Sequence, residues 1–194
     1  MSKIAELYVG LVHYPIYNKR MDVIASAVTN FDIHDIARTC RTYDVKQYYL
    51  IHPKEAQKQM IHKILHYWQE GYGKIYNPDR ADALERVHWL EDIEAAAKDI
   101  EARTGQRPYI VTTDARIYPN TVSYAFMRKQ LQEGEKPILL LFGTGFGIEA
   151  EVMKSFDYIL EPVYGSCDYN HLCVRSAVAI ILDRLAGEAW FEKN

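Results

Sequence analysis

The sequence predicts an α/β domain built on a mainly parallel six-stranded sheet with helices on both faces. Two observations predict it. Short β-rich runs alternate with longer runs of helical periodicity along the whole chain, the pattern of a parallel sheet covered on both sides. The run ILLLF over 138–142 is too short for a helix that buries itself and suits a strand covered on both faces, and Gly143, Gly145 and Gly147 follow it. A chain of 194 residues with 48% hydrophobic content fills one such domain and is short for two, so 1–194 reads as a single domain.

Taken in order, 7–12 (LYVGLV) is the first strand, closed near Pro15. A loop runs to Thr29, and 30–35 offers N-cap residues for a helix over 35–43 with Arg38 and Arg41 on one face. Residues 47–51 are the second strand, ended by His52-Pro53. The helix over 54–70 places Ala56, Met60, Ile64, Tyr67 and Trp68 at helical spacing, and Gly71 stops it. An aromatic loop over 72–78, a short helix over 79–85 and a third strand over 87–90 follow. Asp92 caps a helix that Gly105 ends, and the fourth strand, 108–113, brings Thr112, Thr113 and Asp114 beside the glycine turn. Ser123 opens a helix to Glu133, which leads into the central strand. After Gly147 come a short helix over 148–154, a sixth strand over 158–160, a loop over 161–171 and a last helix over 172–185, whose centre, 177–182, is apolar on every side.

A net charge of −3 and a pI near 6.2 give no general preference for nucleic acid. The halves differ, however: 1–75 holds 10 Lys and Arg against 7 Asp and Glu, and 76–194 holds 13 against 19, so a polyanion would meet the N-terminal part. No apolar run approaches the roughly 20 residues that cross a bilayer, and the opening MSKIAE has no signal-peptide pattern, which points to the cytoplasm. Three cysteines without a C-x-x-C pair suit reduced thiols. Cys167, His171 and Cys173 lack a fourth ligand, and His62 and His66 lack a third, so no metal is expected.

Three glycines at alternate positions let the chain turn tightly and bring backbone N–H and C=O groups against a ligand at the strand's carboxyl end. Two designs place glycines there. In a dinucleotide fold, G-x-G-x-x-G opens a long helix and an acidic residue ends the next strand. Gly143 and Gly145 fit and Glu161 stands where the ribose carboxylate would, but position 148 is Ile and only 162–194 remains for further strands.

The second design rests on three motifs. Asn30 with Arg38, LLFGTGFG over 140–147 and DYNHLCVRSA over 168–177 together resemble the three motifs of the SPOUT class of RNA methyltransferases, in particular a bacterial subfamily of RNA methyltransferases. The resemblance spans nearly the whole chain, and its third motif is the most specific. It implies a deep trefoil knot over about 108–186, a homodimer, and S-adenosylmethionine held by three strand-end loops. Those loops are Thr112 with Thr113; Leu141, Phe142, Gly143, Thr144, Gly145 and Gly147; and Glu161, Pro162, Val163, Asn170, His171 and Leu172. Ribose-methylating members carry Glu in the turn, where this chain has Thr144 and Phe146, and a Ser-Leu-Asn core, where it has Asp168-Tyr-Asn-His. The order Asp168, His171, Arg175 is similar to acidic and basic residues of tRNA guanine-N1 methyltransferases, so base and ribose both stay open as targets.

The expected function is therefore S-adenosylmethionine-dependent methylation of a nucleoside of RNA, either tRNA or rRNA. Asn30 and Arg38 would orient the nucleotide or its phosphate, and Asp168 would be the general base. The plainer roles are helix capping for Asn30 and Asp168 and a surface ion pair for Arg38. For the chain as a whole the alternatives are a non-catalytic S-adenosylmethionine- and RNA-binding module and an NAD-dependent dehydrogenase-type protein. The apolar circumference of the last helix predicts a homodimer through that helix, with Arg38 acting across the interface.

Overall fold

The computed structural model describes residues 4–134 and 136–187; the remaining parts of the expected 1–194 domain, namely 1–3, residue 135 and 188–194, lie outside the described residues. The strands are β1 (Leu7–Val12), β2 (Ile16–Tyr17), β3 (Val23–Ile24), β4 (Tyr48–Ile51), β5 (Val87–Leu90), β6 (Tyr109–Thr113), β7 (Thr121–Val122), β8 (Ile138–Gly143) and β9 (Tyr158–Leu160). The helices are α1 (Asn30–Thr42), α2 (Glu55–Gln69), α3 (Tyr72–Tyr76), α4 (Pro78–Leu84), α5 (Ile93–Thr104), α6 (Tyr124–Glu133), α7 (Ala150–Met153) and α8 (Val174–Ala186).

Seven strands form one sheet in the order β5-β4-β1-β8-β6-β9-β7, with every neighbouring pair parallel. The predicted count of six misses β7, a two-residue edge strand whose Thr121 and Val122 pair with Ile159 and Leu160. So short a strand carries no alternation to read. The stretch read as a loop after β1 also contains a small antiparallel hairpin, β2 with β3.

The pleat sends successive side chains to opposite faces, and the two cores follow that rule. Ile138, Leu140 and Phe142 of β8 and Leu7, Val9 and Leu11 of β1 face the layer of α1, α2, α6 and α8. Leu139, Leu141, Tyr8 and Val12 face α5 and the 148–156 segment. Leu139, Leu140 and Leu141 are each fully buried, worth about 2 kcal/mol apiece in transfer free energy. Gly10 interrupts β1 because a Cβ there would stand 2.6 Å from Leu141 Cδ2.

Helix ends follow local chemistry. Thr29, outside the predicted helix, caps α1 by accepting the Asp32 N–H, so α1 begins at Asn30 and not at 35; Asn30 is therefore its first residue and not its cap. Asp92 caps α5 through the Ala95 N–H at 2.7 Å, and Gly105 ends that helix at φ 77°. The 72–78 segment is not a loop: Gly71 breaks α2 and the chain restarts in the single turn α3. Helix α8 packs between α1 and α6, and Cys173, without a side-chain cap bond, precedes it, so Asp168 does not cap it. Among the described residues no helix is long and apolar enough to cross a membrane.

Candidate active site

Because β1, β6, β8 and β9 run parallel, their carboxyl ends share one edge of the sheet, and the loops leaving them meet there. The glycine turn after β8 is held from below. Thr144 Oγ1 donates to Val12 O at 3.1 Å and lies 2.6 Å from Ser26 Oγ, which is 2.9 Å from His13 Nδ1. His52 Nδ1 accepts the Lys54 N–H at 3.0 Å, so its proton sits on Nε2, which donates to Ser26 O at 3.1 Å. His13 is fully buried and its Nε2 has no partner among the described residues. Burial first, and then the neighbouring His52, push its pKa down to about 3, so it stays neutral at physiological pH.

The β2–β3 hairpin clamps the same turn. Phe146 N–H donates to Tyr17 O at 3.0 Å, Tyr17 N–H donates to Gly147 O at 2.9 Å, and Ile16 bridges Ile148. Gly145 sits at φ 59°, and a Cβ there would lie 2.9 Å from both Ile16 Cδ1 and Tyr17 O. Glycine is thus required at 145 by the hairpin, a reason absent from the sequence reading. Gly147, at φ 101°, faces the loop after β6: a Cβ there would come 3.5 Å from Arg116 Nη2 and 3.6 Å from Asp114 Oδ2.

In that neighbouring loop Asp114 is clasped by Arg116 through Nε (2.9 Å), Nη2 (3.0 Å) and the backbone N–H (2.8 Å), with Tyr118 O–H at 3.3 Å. The site assignment missed this pair, although Asp114 was placed beside the turn; an acidic residue two before an arginine is too common a pattern to signal anything alone. Thr112 is buried and donates to Leu141 O at 3.3 Å, while Thr113 is half-buried at the strand's end. Leu141 and Phe142 point their side chains into the two cores, leaving only backbone at the edge.

The third loop is tied at three points. Glu161 Oε1 accepts the Tyr124 N–H at 2.9 Å, Val163 packs on the core beside buried Pro162, and Asn170 Nδ2 donates to Ala115 O at 2.9 Å. Between these anchors the loop is open to solvent. Asp168 is exposed with no hydrogen-bond partner among the described residues, Tyr169 and His171 meet edge to face at 5.7 Å, and Leu172 is exposed. The second and third predicted loops thus lie on either side of the loop after β6: Asn170 bonds to Ala115 at 2.9 Å, and Gly147 faces the Arg116–Asp114 ion pair, so that the three form one cradle.

Asn30 and Arg38 make no bond to the cradle residues among the described residues. Both are exposed on α1, and no hydrogen bond or ion pair among the described residues joins either to Asp168. The link to the third motif is Arg175, which pairs with Asp35 of α1 at 3.1 Å and lies 5.1 Å from the Phe31 ring centroid. Arg41 does not share the surroundings of Arg38: it is paired with Asp82, whereas Arg38 lines a groove. The dinucleotide alternative meets a structural objection. The turn leads into the Ile16–Ile148 bridge and then the four-residue α7, which supplies no long helix whose N-terminus would receive a pyrophosphate.

Comparison with known proteins agrees. A family described as SAM-dependent RNA methyltransferase matches residues 6–187. A protein of Aquifex aeolicus of uncharacterised function is 44% identical over 92% of this chain and 87% of its own length. A tRNA (guanine-N(1)-)-methyltransferase of Nitratidesulfovibrio vulgaris is 45% identical over 95% of this chain, which spans only 43% of that longer protein. Among solved structures, a TrmH/SpoU tRNA modifying enzyme of A. aeolicus superposes with a TM-score of 0.54 at 18% identity, covering 95% of this chain and 76% of that one. A probable methyltransferase of Bordetella pertussis reaches 0.61 at 14% identity, covering 94% and 93%. These structural likenesses bear on the fold.

Proposed function

Since the chain belongs to the SAM-dependent RNA methyltransferase family, whose extent is residues 6–187, we propose that the three linked loops hold S-adenosylmethionine and that a tRNA nucleoside is methylated beside them. The observation that carries this is the cradle itself: loops from three neighbouring strands meet at one sheet edge, where Asn170 bonds to Ala115 and Gly147 faces the Asp114 loop. The choice of tRNA draws on the name of the longer relative, of which this chain matches under half.

When bound, S-adenosylmethionine supplies an electrophilic methyl group on a cationic sulfur. The protein's own residues do the rest. Backbone groups of Gly143, Thr144, Gly145 and Gly147, together with those of Thr112, Thr113, Leu141 and Phe142, line one wall. Glu161, Pro162, Val163, Asn170, His171 and Leu172 line the other. The Asp114 carboxylate is neutralised by Arg116, and this ion pair fixes the shape of the loop beside Gly147. Asp168, free of other bonds, accepts the proton that the nucleoside's nitrogen or oxygen loses as its bond to the methyl carbon forms. Arg38 neutralises a phosphate and Asn30 hydrogen-bonds the nucleotide.

That neither Asn30 nor Arg38 bonds to Asp168 among the described residues is in line with a homodimer through α8, with Arg38 reaching its partner's cradle, in a cytoplasmic enzyme. A single domain belongs to the same reading, since one sheet takes β1 and β4 through β9, and a deep trefoil knot over about 108–186 is proposed with it.

Calorimetry with S-adenosylmethionine, followed by labelled methyl transfer to bulk tRNA and nucleoside mass analysis, tests the reading. Tight binding and one methylated nucleoside are expected; tight binding with no labelled RNA would make the chain a binding module. Asp168→Asn should keep cofactor affinity and lower turnover about a hundredfold or more, in line with general base catalysis. Unchanged turnover would remove Asp168 from the chemistry.

A further inference from the structure

Between α1, α2 and α4 lies a groove of about 520 Å³, none of whose lining residues belongs to the cofactor cradle. Three cations line it, Arg38, Lys63 and Arg80, against one carboxylate, Asp35, which Arg175 already holds at 3.1 Å. The groove therefore carries an excess of positive charge and favours an anion. Three rings line it too: Phe31 and Tyr67 stay 66% and 47% exposed, and Trp68 forms the inner wall. The Arg80 guanidinium lies 5.0 Å from the Trp68 ring centroid, and the ring of His34 meets Trp68 edge-on at 5.4 Å.

Among the described residues, two polar atoms at this wall are buried without hydrogen-bond partners, Arg80 Nε and His34 Nδ1. The aromatic surface also continues past the groove. Gly73 packs directly on Trp68, and the exposed rings of Tyr72 and Tyr76 flank that contact, 6.1 Å apart.

Flat rings interleaved with cations match single-stranded nucleic acid, in which bases stack on aromatic side chains and phosphates track the charges. We infer that this groove takes one unpaired nucleotide of the RNA, its base on Phe31 and Tyr67 and its phosphate on Lys63 and Arg80, beside the nucleotide that Arg38 and Asn30 address. The inference rests on the reading that the chain acts on RNA, and it gives that RNA a feature: an unpaired nucleotide next to the methylated one, as in a loop or bulge and not within a continuous duplex.

The test uses the full chain without cofactor. Its affinity for a labelled single-stranded oligouridylate of about ten nucleotides, a length within the range such grooves cover, is measured by fluorescence anisotropy at several salt concentrations. Tyr67→Ala, and Tyr67→Leu to keep the packing while losing the ring, should each weaken binding by about tenfold. Lys63→Gln should lower the slope of log affinity against log salt by about 0.7. Parent-like affinity and slope in all three would overturn the proposal. So would conversion of a dimer to monomer by these substitutions in light scattering, which would make the groove an interface between copies. Cofactor calorimetry on the same variants separates the two readings: no S-adenosylmethionine binding in the parent would sink the methyl-transfer assignment, whereas lost RNA affinity in the variants would still establish the groove.

Discussion

Acid should loosen this protein through His13, the buried imidazole beneath the glycine turn. In the folded chain its pKa is pushed down to about 3, while an exposed imidazole titrates near 6.5. Below about pH 6.5 the unfolded chain therefore takes up a proton that the folded chain refuses until about pH 3. The stabilising contribution is complete above that window and is lost progressively on descending through it. One proton of difference is worth about 1.4 kcal/mol per pH unit, so the step from pH 7 to pH 5 costs about 2 kcal/mol. His34, His52 and His88 are lowered by burial as well and add to the slope, so the parent must be compared with His13→Asn. Urea unfolding at a series of pH values gives the comparison. The variant should be less stable at neutral pH, and its deficit should shrink by about 2 kcal/mol by pH 5. A deficit that stays constant across that range would refute the reasoning.

Other substitutions probe the turn and the two arginines. Gly145→Ala forces a Cβ into contact with Ile16 and Tyr17 O at a left-handed φ, which should cost about 1–3 kcal/mol in thermal unfolding and weaken S-adenosylmethionine binding. Arg41→Ala removes an exposed ion pair with Asp82 and should change stability by less than about 1 kcal/mol in the same assay. Arg38→Ala should leave stability and cofactor affinity intact while lowering methyl transfer; mixed with Gly145→Ala, it should regain part of the activity through hybrid dimers. Failure of that complementation in a proven dimer would place Arg38 in its own subunit's site.

How much of this was legible in the sequence depends on the range of the interactions involved. The central strand could be read because ILLLF is buried on both faces and needs no partner to be recognised. Asp92, Gly105 and Ser123 were legible because a cap bonds within three or four residues of itself. What escaped depends on distance along the chain. Nothing near Ser26 announces a bond to Thr144, 118 residues away, and nothing near Gly145 says that Ile16 will press on it. The α1–α2–α4 groove is likewise invisible, because Arg38, Lys63 and Arg80 each look like ordinary charges on solvated helices until three helices converge. The resemblance named three loops; only the fold shows that Asn170 bonds to Ala115 and that Gly147 faces the Asp114 loop.

The position of β8 also bears on how the chain is made. It lies between β1 and β6, both of which leave the ribosome before it, so it must enter a gap whose two rims are already synthesised. Until it does, β1 and β6 each present an unpaired edge, and such edges invite pairing with other chains. The contacts it then makes join residues more than a hundred positions apart on the β1 side, the kind of pairing that forms late and slowly. Since the glycine turn is the continuation of that strand, its entry sets one wall of the cradle, and the other follows when β9 enters between β6 and β7. S-adenosylmethionine would thus bind only chains that have finished folding, and its presence during synthesis would draw half-made sheets toward completion and away from aggregation.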